Sequence, residues 1–159
     1  MRKLYVMIGI PGSGKSTIAK SIAKLNNCKV VSTDAIRKEI NGSEECQANS
    51  QLIFDTAYER IGKFLDEDEC VVFDATNTKS EYRSFIFRYY ETEYIAVFVD
   101  TPFGICLHRN DIRERKVPKD VINRMYLQLE TPELEEGFNK IYRIEENGYY
   151  GEKNKRFWS

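Results

Sequence analysis

The chain has 159 residues, 42% hydrophobic and 31% charged, the balance of an ordinary globular protein; its length suits one domain, residues 1–159, with an apolar core. Its formal net charge of −1 gives no global basicity to draw a polyanion, although residues 1–40 carry eight Lys or Arg against Asp34 and Glu39 and leave room for a basic face. No apolar run approaches the roughly 18 residues of a membrane span, and the N-terminus lacks a signal-peptide core, so a cytoplasmic protein with no membrane association is expected.

In chain order, Leu4–Ile8 reads as a buried strand that ends in glycine. Lys15 to Leu25 carries Ile18, Ala19, Ile22 and Leu25 at helical spacing, and Cys28 to Ser32 reads as a second strand. Asp34 to Ile40 predicts a short helix. A longer helix follows, with Leu52, Ile53, Ala57, Ile61, Phe64 and Leu65 on one face. Cys70–Asp74 is a strand, Ser80–Tyr90 a helix and Tyr94–Val99 a strand. After Asp100-Thr101-Pro102 a helix runs toward Asn110, and the charged stretch Asp111–Lys116 breaks the apolar pattern. Pro118 fits the first position of the next helix, which carries Val121, Ile122, Met125 and Leu129. Lys140–Ile144 reads as a last strand, and the polar tail 146–159 as weakly structured.

Four cysteines occur without a Cys-x-x-Cys pair, beside a single histidine, His108. Neither a zinc site nor a disulfide framework is expected, and the cysteines read as small buried residues in a reducing compartment.

Alternating strands and helices predict an α/β fold with a central, mostly parallel sheet flanked by helices. In such sheets ligands bind beyond the carboxyl ends of the strands. The segments there are 9–16, Thr33-Asp34, 74–77 and Asp100-Thr101, which should gather on one edge.

The first segment, Gly9-Ile10-Pro11-Gly12-Ser13-Gly14-Lys15-Ser16, has the pattern Gly-x4-Gly-Lys-Ser between a strand and a helix. Its glycines let backbone N–H groups curl around phosphate oxygens, and the helix behind aims its positive end at the same anion. Lys15 supplies charge to the β- and γ-phosphates, and Ser16 offers a hydroxyl to Mg²⁺. The loop predicts ATP binding and leaves the destination of the phosphoryl group open.

Asp34 is a candidate general base for an attacking hydroxyl, or the N-cap of its helix. Arg37, three residues on, would bind an acceptor phosphate or hold Asp34 in place. Asp74 ends a strand as a metal-organising acid does. Thr76 and Asn77 would orient the acceptor or cap the helix near Ser80. Arg109 and Arg113 stand four apart on a predicted helix, hence on one face, followed by Arg115 and Lys116; they form either a lid over the nucleotide, about 109–118, or a solvated basic face.

These segments, with Asp74-Ala75-Thr76-Asn77, Arg109-Asn110, Arg113, the stretch 117–125 and Pro132-Glu133-Leu134-Glu135-Glu136-Gly137-Phe138, resemble the kinase domains of polynucleotide 5′-hydroxyl kinases, within the small P-loop kinases related to adenylate kinase. The resemblance covers most of the chain. It implies a P-loop kinase fold with an arginine-bearing lid, ATP as donor and Mg²⁺ as cofactor. Asp34 would take the proton of the 5′-hydroxyl of DNA or RNA. Arg37 would bind the adjacent phosphate, and Asp74, Thr76 and Asn77 would organise the acceptor pocket. Lys15 and Arg113 would stabilise the transferring phosphoryl, with Ser16 on Mg²⁺ and Arg109 near the adenine. Gly9, Pro11, Gly12, Ser13, Gly14, Ser16 and Thr17 complete the ATP set. The best-known members also carry a phosphatase domain, for which this chain is too short, so no 3′-end healing is expected from it alone.

Two other readings stay open. The same loops serve kinases of small molecules, nucleotides and aminoacyl-tRNA, and a P-loop NTPase without transfer shares the first loop. A basic and aromatic stretch, Lys79, Tyr82, Arg83, Phe85, Phe87, Arg88, Tyr89 and Tyr90, would track a single strand or fill the core. The tail Lys153–Trp158 is a further candidate for nucleic-acid contact.

Overall fold

A computed structural model describes residues 2–114 and 116–145. Arg115 of the expected lid and the tail 146–159 lie outside the described residues.

Five strands, β1 (Lys3–Ile8), β2 (Lys29–Ser32), β3 (Val71–Asp74), β4 (Glu93–Asp100) and β5 (Lys140–Glu145), form one parallel sheet in the order β2-β3-β1-β4-β5. The helices are α1 (Lys15–Asn26), α2 (Thr33–Asn41), α3 (Ser50–Asp66), α4 (Ser80–Ser84), α5 (Phe103–Ile112) and α6 (Lys119–Gln128). Two 3-10 turns, Ile86–Arg88 and Leu134–Glu136, join them. Among the described residues no helix is long and apolar enough to cross a membrane.

The period-two alternation of the strands partitions the core. Leu4, Val6 and Ile8 of β1 face Ile36 of α2 and Ile53, Ala57, Ile61 and Leu65 of α3. Tyr5 and Met7 face the opposite way, onto Ala19 and Ala23 of α1. Both faces of the sheet are thereby covered, as a parallel sheet requires. Each fully buried Leu or Ile contributes roughly 1.5–3 kcal/mol. A third, smaller cluster of Ile10, Cys106 and Ile122 packs the loop after β1 against α5 and α6. That cluster carries the phosphate-loop motif into the fold.

The expected helix over Ser80–Tyr90 is broken. It ends at Ser84 and continues as a 3-10 turn. The aromatic run 85–90 has weak helix propensity, and tertiary partners claim it. Phe87 packs edge-on against Tyr94 and Phe138, with centroids 4.7 and 5.0 Å apart. The Tyr94 hydroxyl donates to the carbonyls of Ile86 and Tyr90, and the Tyr90 hydroxyl donates to that of Tyr58. Burial raises the pKa of Tyr90 and pushes Tyr94 up to about 12. Of the basic and aromatic stretch, Arg83 is wholly buried, while Tyr82, Phe85 and Tyr89 are exposed. Arg83 is therefore no part of a strand-tracking surface. Pro118 is the N-cap of α6 rather than its first residue; its carbonyl accepts from the Val121 and Ile122 amides.

The cysteine expectation is corrected. Cys28 and Cys70 are joined by a disulfide, Cys46 is exposed, and only Cys106 is buried and free. The bonded pair immediately precedes β2 and β3, and the backbone there is already linked from the Lys29 amide to the Cys70 carbonyl. Only the strand order, which makes β2 and β3 neighbours, brings residues 42 positions apart together.

Candidate active site

At the carboxyl end of the sheet the loop from Gly9 to Ser16 joins β1 to α1. Gly12 and Gly14 have φ of +84° and +93°, which L side chains rarely adopt. Gly12 also has no room for one: a Cβ there would stand 2.4 Å from the Cys106 carbonyl oxygen. The loop is braced from behind. Thr101 Oγ1 donates to the Ser13 carbonyl at 2.8 Å, Arg109 Nη1 donates to the same carbonyl at 3.2 Å, and the Gly9 amide donates to the Thr76 carbonyl at 3.1 Å.

No side chain caps α1, and its first turn holds no acid, so its leading N–H groups and dipole stay available to an anion. Lys15 is nearly buried at 9% exposure and makes no ion pair among the described residues. A buried ammonium without a counter-charge is poised for an anionic ligand.

Opposite the loop, α2 begins at Thr33 with Ser32 as its cap; Ser32 Oγ accepts the Ala35 amide at 3.2 Å. The capping role considered for Asp34 belongs to Ser32. Asp34 is instead paired with Arg37, whose Nη1 lies 2.8 Å from Asp34 Oδ1. The Asp34 side chain keeps 33% of its surface exposed and that of Arg37 12%.

Asp74 closes β3 in register with Ser32 of β2. It is 7% exposed, and its Oδ1 has no hydrogen-bond partner among the described residues. Asn77 adopts φ of +47° and donates Nδ2 to the Met7 carbonyl at 2.8 Å. It thus pins the loop after β3 onto β1. Neither Thr76 nor Asn77 caps α4, whose N-cap is Lys79 with no side-chain bond.

Arg109 lies on α5, but the helix ends at Ile112 and Arg113 has extended backbone. The expectation that both share a helix face is corrected. Asn110, 2% exposed, ties the following loop shut: its Nδ2 donates to the Val117 carbonyl at 2.7 Å and its Oδ1 accepts the Val117 amide at 2.9 Å. Arg113 Nη2 donates to the same Asn110 Oδ1 at 3.3 Å.

These parts enclose one open cavity of about 1130 Å³. Pro11, Gly12, Gly14, Lys15, Ser16 and Thr17 line its floor, with Asp34 and Arg37 on one wall. Asp74, Thr76 and Asn77 lie between them, and Arg109 and Arg113 also border the space. Gly9 and Ser13 do not line the cavity and shape it from behind. Asp100 and Thr101 reach the same carboxyl edge, where Thr101 braces the Ser13 carbonyl, but Asp100 pairs with Arg143 of β5 and does not line the cavity. Phe54 and Tyr58 of α3, and Arg124, Met125 and Gln128 of α6, are among the further lining residues, and the sequence alone does not single them out for the site. Phe54 and Tyr58 stand outside the apolar face read from the sequence; four residues apart on α3, they pack against the core and border the cavity at once. Asn110 had no spacing signal; its role depends on the path of the loop it closes.

The family model described as an AAA domain matches residues 4–132. The L-seryl-tRNA(Sec) kinase of Methanococcus maripaludis is 28% identical over 81% of this chain and 53% of its own length. The 6-phosphofructo-2-kinase/fructose-2,6-bisphosphatase 4 of Rattus norvegicus is 28% identical over 92% of this chain and 34% of its own. The chain therefore spans about half, or less, of the length of these curated relatives. Among solved structures, a chain of the Pnkp1/Rnl/Hen1 RNA repair complex superposes with a TM-score of 0.72 at 23% identity, covering 80% of this chain and 44% of that one. A gluconokinase from Sinorhizobium meliloti 1021 gives 0.66 at 21% identity, covering 90% and 82%. These likenesses establish the P-loop kinase fold.

Proposed function

The chain belongs to the AAA domain family, and on that premise we propose that it is an ATP-dependent kinase that transfers the γ-phosphate to the 5′-hydroxyl end of DNA or RNA. The observation that carries this reading is the single cavity in which the phosphate loop faces the Asp34–Arg37 pair. Donor and acceptor walls open on the same space, as direct transfer demands.

Each role follows from chemistry. The N–H groups of residues 12–16 and the Lys15 ammonium hold the β- and γ-phosphates of ATP. The residues fit a divalent metal: Asp74 has a buried carboxylate oxygen with no hydrogen-bond partner among the described residues, and Ser16 borders the same cavity. Mg²⁺ bound there would neutralise charge on the phosphates. Asp34 accepts the proton as the acceptor oxygen bonds to the γ-phosphorus and the bond to the β-phosphate oxygen breaks, releasing ADP. Arg37 orients Asp34 and attracts the phosphate beside the accepting nucleoside. Arg113 adds positive charge opposite the transferring group, and Arg109 supports the loop and borders the nucleotide.

The acceptor assignment rests on the size and wall of the cavity. At about 1130 Å³ it has room for a nucleotide donor and an acceptor together. Exposed Tyr82 and Phe85 border it, with Lys79 and Arg88 over their rings at 5.8 and 5.6 Å. Such surfaces hold bases by stacking and phosphates by charge. A second reading, transfer to an amino acid or other alcohol carried on tRNA, is supported by the likeness to the L-seryl-tRNA(Sec) kinase.

Labelled ATP offered with 5′-hydroxyl DNA and RNA oligonucleotides, seryl-tRNA, nucleosides and small alcohols tests the proposal. Label on oligonucleotide 5′ ends is expected, with binding that weakens as salt is added. Transfer confined to small alcohols, or to the seryl group, would overturn it.

A further inference from the structure

The loop after β3 is fixed by a side chain that never reaches the cavity. Arg83 is completely buried and spends its donors on two targets. Nε and Nη2 fork onto Glu136 Oε1 and Oε2 at 2.8 and 2.9 Å. Nη1 donates to the carbonyls of Asn77 and Thr78 at 2.8 and 3.2 Å. Those carbonyls belong to the segment whose Thr76 carbonyl accepts the Gly9 amide of the phosphate loop.

Two further elements converge on the same segment. The Thr78 carbonyl also accepts the Glu130 amide at 2.8 Å, just past α6, which lines the cavity through Arg124, Met125 and Gln128. Ser80 Oγ donates to Glu130 Oε2 at 3.0 Å. Glu136 is itself immobilised, because Oε2 accepts the Glu133 amide at 2.8 Å in a capping box.

We infer that Arg83 is a positioning residue: paired with Glu136, it sets the acceptor-side loop 76–78 and couples it to the base of the phosphate loop and to the end of α6. A planar guanidinium suits this task, since its fixed fork addresses a carboxylate and two carbonyls at once, which an ammonium cannot do. The inference rests on the transfer reading above only in its catalytic consequence. The structural coupling stands apart from the identity of the acceptor.

The test uses the double variant Arg83→Met/Glu136→Met, which removes the buried guanidinium together with its partly buried carboxylate partner and leaves neither charge orphaned. Arg83→Lys is the second variant, keeping the charge and losing the fork. Three readouts are taken: ATP affinity by calorimetry, transfer to the acceptor that the wild type uses, and amide hydrogen exchange. The inference predicts ATP affinity within about threefold of wild type and transfer slowed by about 10- to 100-fold, the scale set by displacements near 1 Å. Exchange should rise at 74–79 and at Glu130 in both variants, with strand β4 unchanged. A folded double variant with wild-type transfer, or unchanged exchange at 74–79 in Arg83→Lys, overturns the inference. Should the wild type phosphorylate none of the acceptors, the kinase reading fails, and exchange alone decides the role of Arg83.

Discussion

Arg37 Nη1 lies 2.8 Å from Asp34 Oδ1, one helical turn along α2, and both side chains border the cavity that the phosphate loop floors. In the proposed transfer the pair supplies an acid for the attacking alcohol and a cation for its neighbouring phosphate. Arg37→Ala is expected to raise the acceptor KM by about tenfold or more, since a charge-assisted contact is worth about 1.5–3 kcal/mol. The KM for ATP should move far less. Steady-state kinetics with each substrate varied in turn check this, and an unchanged acceptor KM would remove the proposed role.

Gly12→Ala should cripple ATP binding. The added methyl would meet the Cys106 carbonyl oxygen at 2.4 Å, on a backbone already at φ of +84°. Strain of about 1–3 kcal/mol at such positions corresponds to a loss of affinity of about 5- to 150-fold. Calorimetry with ATP measures it. Gly42→Ala is the control: it too has positive φ, at +77°, but a Cβ there meets nothing within 4 Å, and it lies away from the loop. ATP affinity should survive in that variant.

The Cys28–Cys70 bond closes a separation of 42 residues at the amino ends of β2 and β3, opposite the cavity. Breaking it is expected to cost about 2–4 kcal/mol of stability. Dithiothreitol should therefore lower the melting temperature and leave the transfer rate of the still-folded enzyme unchanged. Equal melting temperatures with and without reductant would show that the pair is not bonded in solution.

The buried tyrosines make stability fall at high pH. Burial raises Tyr90 and pushes Tyr94 up to about 12, whereas an unfolded tyrosine titrates near 10. Their folded-state pKa lies above the unfolded one, so their contribution is complete below pH 10 and is lost as pH rises from about 10 toward 12. Thermal melts across that window should show a steady decline that Tyr94→Phe reduces. The same variant should melt lower at neutral pH, because its hydroxyl bonds to Ile86 and Tyr90 are gone.

The strand–helix order was legible because β1, β3 and β4 are apolar runs and the major helices carry periodic faces. The phosphate loop was legible because its glycines and Lys15 are contiguous. Asp34 and Arg37 could be paired because i, i+3 spacing on a helix puts two side chains on one face. What escaped depends on contacts distant in the chain. Arg83 reads as a surface cation until Glu136, 53 residues away, is placed beside it. Cys28 and Cys70 read as unrelated until β2 and β3 are known to be neighbours. Arg113 reads as helical because it stands four residues from Arg109, whereas the backbone turns extended after Ile112 to close the loop on Asn110.

The central claim, transfer across one cavity with Asp34 as base, is tested most directly by single-turnover transfer from γ-labelled ATP to a 5′-hydroxyl oligonucleotide, comparing the wild type with Asp34→Asn. The account predicts ATP affinity close to that of the wild type and a transfer rate lower by about 10²- to 10⁴-fold, the usual contribution of a general base. A variant that binds ATP and transfers phosphate at the wild-type rate would contradict it.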